Sequence, residues 1–203
     1  MAMLAAFAYM IMALVRIPVV LFLKYEPKDV IITIGGFLLG PMASFIVSLV
    51  VSLIEMVSVS ETGPIGCLMN LLSTCSFACT AAFIYKKQHT LKGAVIGLAA
   101  GSVFMVGIML LWNWLISPLY MGVERSAVEA LLLPAFLPFN LLKAGLNSAL
   151  TLGLYKPVVT ALRKTGLVET GNRTNSSQIG IYLFAAGLLV TCILLLLVLQ
   201  GKI

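Results

Sequence analysis

Residues 30–45 read VIITIGGFLLGPMASF, and the dipeptide Gly40-Pro41 within this stretch decides the fold. It interrupts an apolar block of about 28 residues, which one tilted helix would accommodate at about 1.5 Å per residue. Proline lacks a backbone donor and disfavours helix at the preceding residue, and Gly-Pro is a common turn dipeptide. The sequence therefore predicts a chain reversal between a short span, 30–39, and a second helix, 42–57.

The composition around this stretch is that of a membrane protein. Of the 203 residues, 61% are hydrophobic and 10% are charged, which leaves too little polar surface for a soluble globular domain. Only helices or a closed barrel satisfy every backbone group in lipid, and the apolar runs are continuous rather than alternating. The predicted fold class is all-α, a polytopic transmembrane helix bundle.

The apolar runs predict a six-helix core followed by one more helix. The core is a membrane domain of residues 1–164, followed by a polar linker at 165–178 and an additional C-terminal transmembrane helix within 179–203. A longer connection is expected before the sixth helix. The predicted spans are 1–23, 30–39, 42–57, 64–85, 93–116, 135–162 and 179–199.

The basic residues, which give a formal charge of +6, lie at the ends of apolar runs without interleaved aromatics. This placement indicates membrane topology rather than nucleic-acid binding. With the reversal at Gly40-Pro41, the clusters share one side, which the positive-inside rule assigns to the cytoplasm. The amino terminus then lies inside and the carboxyl terminus outside. The clustered residues are Lys86, Lys87, Lys92, Lys156, Arg163, Lys164 and Arg173.

Few polar side chains lie inside the spans, and those that do converge at one depth. A charged side chain at the centre of a transmembrane helix costs about 2.5–3.5 kcal/mol on insertion scales, so each polar residue there indicates a structural or functional role. Together they predict a polar pocket open to the outside. Its amides would bind a planar heteroaromatic ligand, and Trp112 would stack on the ring of that ligand. Individually, the amides would equally serve as contacts between helices, and the lysine would reach the outer interface. The five residues are Glu55, Asn70, Asn113, Asn140 and Lys143.

Arg16 lies about two turns before the first loop and has three possible roles. It would pair with Glu55, bind an anionic part of a ligand, or reach the lipid headgroups. We favour pairing with Glu55.

The sequence offers no catalytic constellation. It contains no phosphate-binding loop of the Walker type and no HExxH, so it predicts neither an ATPase nor a protease. Any energy that the protein uses must come from elsewhere. The cysteines have no His or carboxylate beside them, so they predict free thiols rather than a metal site. They are Cys67, Cys75, Cys79 and Cys192.

An ordered set of motifs between Leu14 and Lys164 resembles the riboflavin-specific S components of energy-coupling-factor (ECF) transporters. The motifs are FLKYEPKDV, IGGFLLGP, SLIEM, TGPIGCLMN, NWLISPLY and PFNLLKAGLN. The resemblance implies six membrane helices in the bacterial plasma membrane and no enzymatic activity. It also implies riboflavin binding from outside under the first loop. The expected partners are a membrane coupling subunit (T component) and two cytoplasmic ATPase subunits.

The resemblance also implies roles for particular residues. Asn113, Asn140 and Lys143 occupy motifs that hold riboflavin in the family. Small residues of the first helix pack against the coupling subunit there, a use that Ala2 and Ala6 fit. Further expected ligand contacts are Glu55, Asn70, Lys24, Tyr25 and Asp29.

Two departures and three alternatives accompany this interpretation. Glu26-Pro27 in the first loop differs from the expected acid and small polar residue, and the seventh span has no family counterpart. The ligand could be a flavin nucleotide, with Arg16 on its phosphate, or another vitamin. A stand-alone secondary transporter coupled to protons through Glu55 is the second alternative, although no internal repeat supports it. A membrane enzyme is a weaker third alternative.

Overall fold

The computed structural model describes residues 1–20, 23–59, 63–164 and 179–200. It confirms the reversal at Gly40-Pro41. Helix α2 (Lys28–Leu39) ends there and helix α3 (Pro41–Ser58) begins with Pro41 at its first position, where the missing N–H costs nothing. Gly40 has φ 93° and ψ 170°, a conformation open in practice to glycine alone.

The first helix is shorter than predicted, because a β-hairpin follows it. Helix α1 spans Ala2–Leu14, and strands β1 (Ile17–Val20) and β2 (Leu23–Tyr25) pair antiparallel. The predicted span 1–23 is therefore wrong in its last third, although residues 21 and 22 lie outside the described residues. Pro18 and the β-branched Val19 and Val20 disfavour helix and suit a short strand.

Helices α4 (Gly63–Gln88) and α5 (Leu91–Met121) pack along each other and make the most extensive helix–helix contact in the described residues. The Thr90 hydroxyl caps α5 by accepting from the backbone N–H of Gly93 at 3.0 Å. Both helices extend beyond their predicted bounds, which were 64–85 and 93–116.

The long connection predicted before the sixth core helix is wrong, because that segment is largely helical. Helix α6 (Arg125–Leu131) leads through a π-helical turn (Leu132–Phe136) into α7 (Leu137–Lys164) without a break. Pro134 lies in the wider turn, where a missing backbone donor is more easily accommodated. The C-terminal helix, α8, runs from Ile179 to Leu199 as predicted, whereas the linker 165–178 lies outside the described residues.

The described residues form an all-α membrane bundle with a small hairpin. Among the described residues, five helical stretches are long and apolar enough to cross a membrane, whereas α1 and α2 have only 13 and 12 residues. Helix α2 lies in the interior and contacts α1, α3, α4 and α7, while α8 packs on α7 and reaches β1. The five stretches are Pro41–Ser58, Gly63–Gln88, Leu91–Leu119, Arg125–Tyr155 and Gly180–Leu199.

Candidate functional site

Five side chains from five segments form a buried ionic cluster at the base of the hairpin. Glu26, directly after β2, pairs with Arg16 at 2.9 Å (Nε–Oε1) and with Lys28 at 2.7 Å (Nζ–Oε2). Glu55 of α3 pairs with both cations, at 2.8 Å to Arg16, and Asn70 of α4 donates to it at 2.8 Å. The predicted pairing of Arg16 with Glu55 is therefore confirmed.

The charges in this ionic cluster balance. Two cations face two carboxylates, and the side chain of Lys28 is only 1% exposed. Removing one partner of such a group typically costs about 3–5 kcal/mol, because an uncompensated charge stays buried. The cluster thus fixes the hairpin base to α2, α3 and α4.

A second set of contacts, here called the polar network, is centred on Asp29 in the first turn of α2. Thr74 of α4 donates to Oδ1 at 2.7 Å, and Asn147 of α7 donates to Oδ2 at 3.1 Å. Lys143 of α7 pairs with the same Oδ2 at 3.2 Å, and the Tyr25 hydroxyl donates to Oδ1 of Asn147 at 3.0 Å. The polar network therefore joins the hairpin to three helices.

Lys143 and Tyr25 have further properties that bear on the polar network. Lys143 also donates to the hydroxyl of Ser73 at 3.0 Å, so its ammonium bridges α2, α4 and α7. Burial, followed by the nearby Asp29 carboxylate, raises the pKa of the Tyr25 phenol above its ordinary value. Tyr25 therefore remains a hydrogen-bond donor throughout the physiological pH range.

The other two predicted amides make hydrogen bonds within their own helical segments. Asn113 of α5 accepts from Ser117 at 3.0 Å, and Asn140 of α7 donates to the carbonyl of Phe136 in the π-helical turn at 2.8 Å. Both side chains are buried. Among the described residues, Nδ2 of Asn113 has no hydrogen-bond partner, which is uncommon for a buried amide.

The structure thus divides the predicted site residues. Glu55 and Asn70 lie in the ionic cluster, while Tyr25, Asp29 and Lys143 lie in the polar network. Asn113 and Asn140 join neither through the hydrogen bonds above. Lys24 is half-buried opposite Pro18 in the hairpin, and Trp112 is half-buried against the apolar core of α4, α5 and α7.

Sequence reasoning missed several members of these two groups. Asn147 carried a usable signal, because it lies four residues after Lys143 and hence on the same helix face. Lys28 was assigned to a loop, whereas it begins α2 and is buried. The remaining residues missed, Glu26, Ser73 and Thr74, were read as loop or ordinary span positions.

The fold, the ionic cluster and the polar network define a class of protein. It is a multi-pass membrane bundle with a buried, charge-balanced polar site next to a short hairpin. The chain belongs to the family of substrate-specific components of ECF transporters, whose family model matches residues 1–155. It is thus a substrate-binding transporter component in the membrane.

Known relatives agree with this assignment. The chain is 27% identical over 172 residues to the riboflavin transporter RibU of Staphylococcus aureus (strain TCH60), covering 80% of this chain and 90% of that protein. It is 28% identical over 131 residues to the riboflavin transporter FmnP of Bacillus subtilis (strain 168), covering 60% and 69%. A solved S component of a bacterial ECF transporter superimposes with a TM-score of 0.67 at 27% identity, covering 80% of this chain and 94% of that one.

Proposed function

We propose that this protein is the riboflavin-capture subunit of an ECF-type importer. The observation that carries the proposal is the polar network, in which Tyr25 ties the hairpin to Asp29, Asn147 and Lys143 in the bundle interior. Such a buried set of donors and acceptors suits a polar heteroaromatic ligand. The two relatives above are both named riboflavin transporters, which supports this ligand.

In this proposal, the ligand is bound by amides and an aromatic surface beside the polar network. Asn113 offers the clearest donor, because its buried Nδ2 has no protein partner in the described chain. Asn140 and Lys143 present polar groups from α7, and Trp112 offers a ring for stacking. An isoalloxazine ring carries imide and carbonyl groups that complement such side chains.

The charge distribution favours neutral riboflavin over a phosphorylated flavin. Each of Arg16, Lys28 and Lys143 is already bound to a carboxylate. A phosphate adds about −1.5 to −2 charges, so it would have to displace a carboxylate from one of these pairs. Arg16 is therefore poorly placed to act as a phosphate contact.

The same pairing weighs against a stand-alone transporter coupled to protons through Glu55. That carboxylate contacts Arg16, Lys28 and Asn70, which makes it a structural tie between α3, α4 and the hairpin base. We instead propose that a membrane coupling subunit and two cytoplasmic ATPase subunits supply the energy. Ala2 and Ala6 are exposed on α1 and would form part of the contact with the coupling subunit.

We further propose that the hairpin faces the outside of a bacterial plasma membrane and that the amino terminus is cytoplasmic. The exposed Lys86 and Lys87 end α4 at the opposite end of the bundle from the α5–α6 turn. The positive-inside rule places such lysines in the cytoplasm. The hairpin would then cover the ligand on the extracellular side.

Titration of riboflavin with the purified protein tests this function. We expect saturable quenching of flavin fluorescence with a Kd below about 1 µM, equivalent to about −8 kcal/mol. Flavin mononucleotide should compete more weakly than riboflavin for the charge reason given above. Absence of saturable binding at micromolar protein would refute the proposed ligand.

A substitution at Asn113 tests the site. Asn113→Ala should raise the Kd for riboflavin by roughly 3- to 10-fold, the effect of one lost hydrogen bond. Thr151→Val is the matched control, because Oγ1 of Thr151 is also buried without a partner in the described chain but lies two turns beyond Lys143 on α7. Equal affinities for the two variants would remove Asn113 from the proposed site.

A further inference from the structure

Helix α8 contacts the hairpin as well as the bundle. Nε2 of Gln200, directly after α8, donates to the backbone carbonyl of Pro18 in β1 at 2.8 Å. Leu195, Leu196 and Leu199 pack against an apolar cluster that contains Val19, Leu23 and Tyr25 of the hairpin. The C-terminal end of α8 therefore lies against the hairpin, which contributes Tyr25 to the polar network.

The hairpin needs such support. Its strands have four and three residues, with an irregularity in register between Pro18 and Val20. A two-stranded hairpin of this size is marginally stable alone and depends on packing against another element. Helix α8 supplies apolar surface and a hydrogen bond to the first strand.

Helix α8 also lies close to the helix that carries the site. A Cβ atom added at Gly145 of α7 would meet Sγ of Cys192 at 2.5 Å, so the glycine permits this close approach. Gly145 lies two residues from both Lys143 and Asn147, which places it on roughly the opposite face of α7. Helix α8 thus packs on the face of α7 opposite Lys143 and Asn147. Its C-terminal end packs on the hairpin.

We propose that α8 is a brace that holds the hairpin over the polar network and so sets the rate at which a bound ligand leaves. The contacts run from Gln200 to β1, from Tyr25 to Asn147, and from Asn147 to Asp29. The family model ends at residue 155, so α8 lies outside the matched region. The ligand part of this inference rests on the proposed riboflavin function.

Two variants of the full-length chain in lipid nanodiscs test the brace. Gln200→Glu removes the donor while preserving the shape of the side chain, and Leu196→Ala removes apolar contact. Leu194→Ala is the matched control for Leu196→Ala, because Leu194 is 51% exposed. Val198→Ala, at 55% exposed, serves as a second control.

The first readout needs no ligand. Hydrogen exchange of backbone amides in the 17–25 peptide should accelerate in both brace variants and stay unchanged in both controls. Unchanged exchange in Gln200→Glu and Leu196→Ala would overturn the brace itself, whether or not riboflavin binds.

The second readout is the dissociation rate of riboflavin, followed by flavin fluorescence after excess competitor is added. Gln200→Glu should accelerate dissociation by roughly 3- to 10-fold, the effect of one hydrogen bond. Faster hairpin exchange with an unchanged dissociation rate would overturn the link to ligand release. Failure of the unsubstituted protein to bind riboflavin would instead refute the proposed function, and hydrogen exchange would still decide the brace.

Discussion

Among the individual side chains, Asp29 is the one on which the polar network is centred. Its carboxylate accepts from Thr74 and Asn147 and pairs with Lys143, while its backbone carbonyl accepts from Thr33 at 2.6 Å. The side chain is fully buried, so these contacts take the place of the hydrogen bonds that water would make to an exposed carboxylate. Loss of the carboxylate charge leaves the ammonium of Lys143 buried without a counterion.

Asp29→Asn should therefore destabilise the protein by about 3–5 kcal/mol, the usual cost of breaking a buried pair. The double variant Asp29→Asn with Lys143→Gln should recover part of this loss, because both charges are then absent. The midpoint of thermal unfolding in detergent measures both effects. A double variant no more stable than Asp29→Asn alone would contradict the pairing.

Tyr25→Phe should weaken riboflavin binding by about 2- to 10-fold, because one net hydrogen bond contributes about 0.5–1.5 kcal/mol. The lost bond is the one to Asn147, which orients the amide against Asp29. Tyr9→Phe is the control, since it removes a hydrogen bond of 2.8 Å to Ser58 outside the polar network. Fluorescence titration compares the two, and similar affinities would separate the hairpin from the ligand site.

The sequence identified about half of these side chains. Polar residues inside apolar helices, such as Asn113 and Lys143, stand out because lipid makes them costly. Glu26 and Lys28 did not, because next to a predicted span they resemble an ordinary solvated loop. Their burial depends on the hairpin, and the sequence pattern did not predict that hairpin.

Among the secondary-structure elements, too, the sequence predicted some and missed others. Gly40-Pro41 predicted a reversal because this dipeptide is typical of a turn and interrupts a helix locally. In the hairpin, by contrast, residues 17–23 were predicted to continue the first helix. Apolar continuity alone does not distinguish a helix from a buried strand. Pro18 within the run was the signal for a break.

Gly40→Ala should destabilise the fold by about 1–3 kcal/mol, since φ 93° and ψ 170° are strained for any residue with a Cβ atom. An added Cβ meets nothing within 4 Å, so the cost comes from the backbone alone. Thermal unfolding measures it, with Gly107→Ala, inside α5 and equally open, as the control. A Gly40→Ala protein as stable as the control would argue against this turn geometry.

Gly101→Ala should destabilise the contact between α4 and α5. A Cβ there would lie 2.6 Å from the backbone carbonyl of Phe77, so the helices must separate, typically at about 1–3 kcal/mol. Gly107→Ala has open space and should be neutral or stabilising, because alanine favours helix over glycine by about 0.5–1 kcal/mol. Opposite shifts of the unfolding midpoint are expected, and equal shifts would contradict the close approach.

For the whole molecule, composition was sufficient to predict a membrane bundle, and the reversal fixed which ends of the helices meet. The packing of α8 against the hairpin was beyond sequence reasoning, since it joins segments about 180 residues apart through the side chain of Gln200 and general apolar surface.

Cysteine accessibility tests the proposed orientation. In a chain whose four native cysteines are replaced, Val15→Cys and Glu124→Cys should react with a membrane-impermeant maleimide added to intact cells. His89→Cys, in the α4–α5 turn, should react only after the membrane is opened. All three positions are exposed in the structure. Labelling of Val15→Cys and Glu124→Cys from opposite sides would refute the topology.

The shortness of α2 has a consequence for biogenesis. Its 12 residues span about 18 Å, well below the roughly 30 Å of the hydrocarbon core, and its first turn carries Lys28 and Asp29. The ribosome makes Lys143 more than a hundred residues after Asp29, a delay on the order of ten seconds at 5–20 residues per second. We expect α2 to remain at the water–lipid interface during synthesis until Lys143 is available to pair with Asp29. It would then take its final position only after α7 has been made, although it is among the first helices to leave the ribosome.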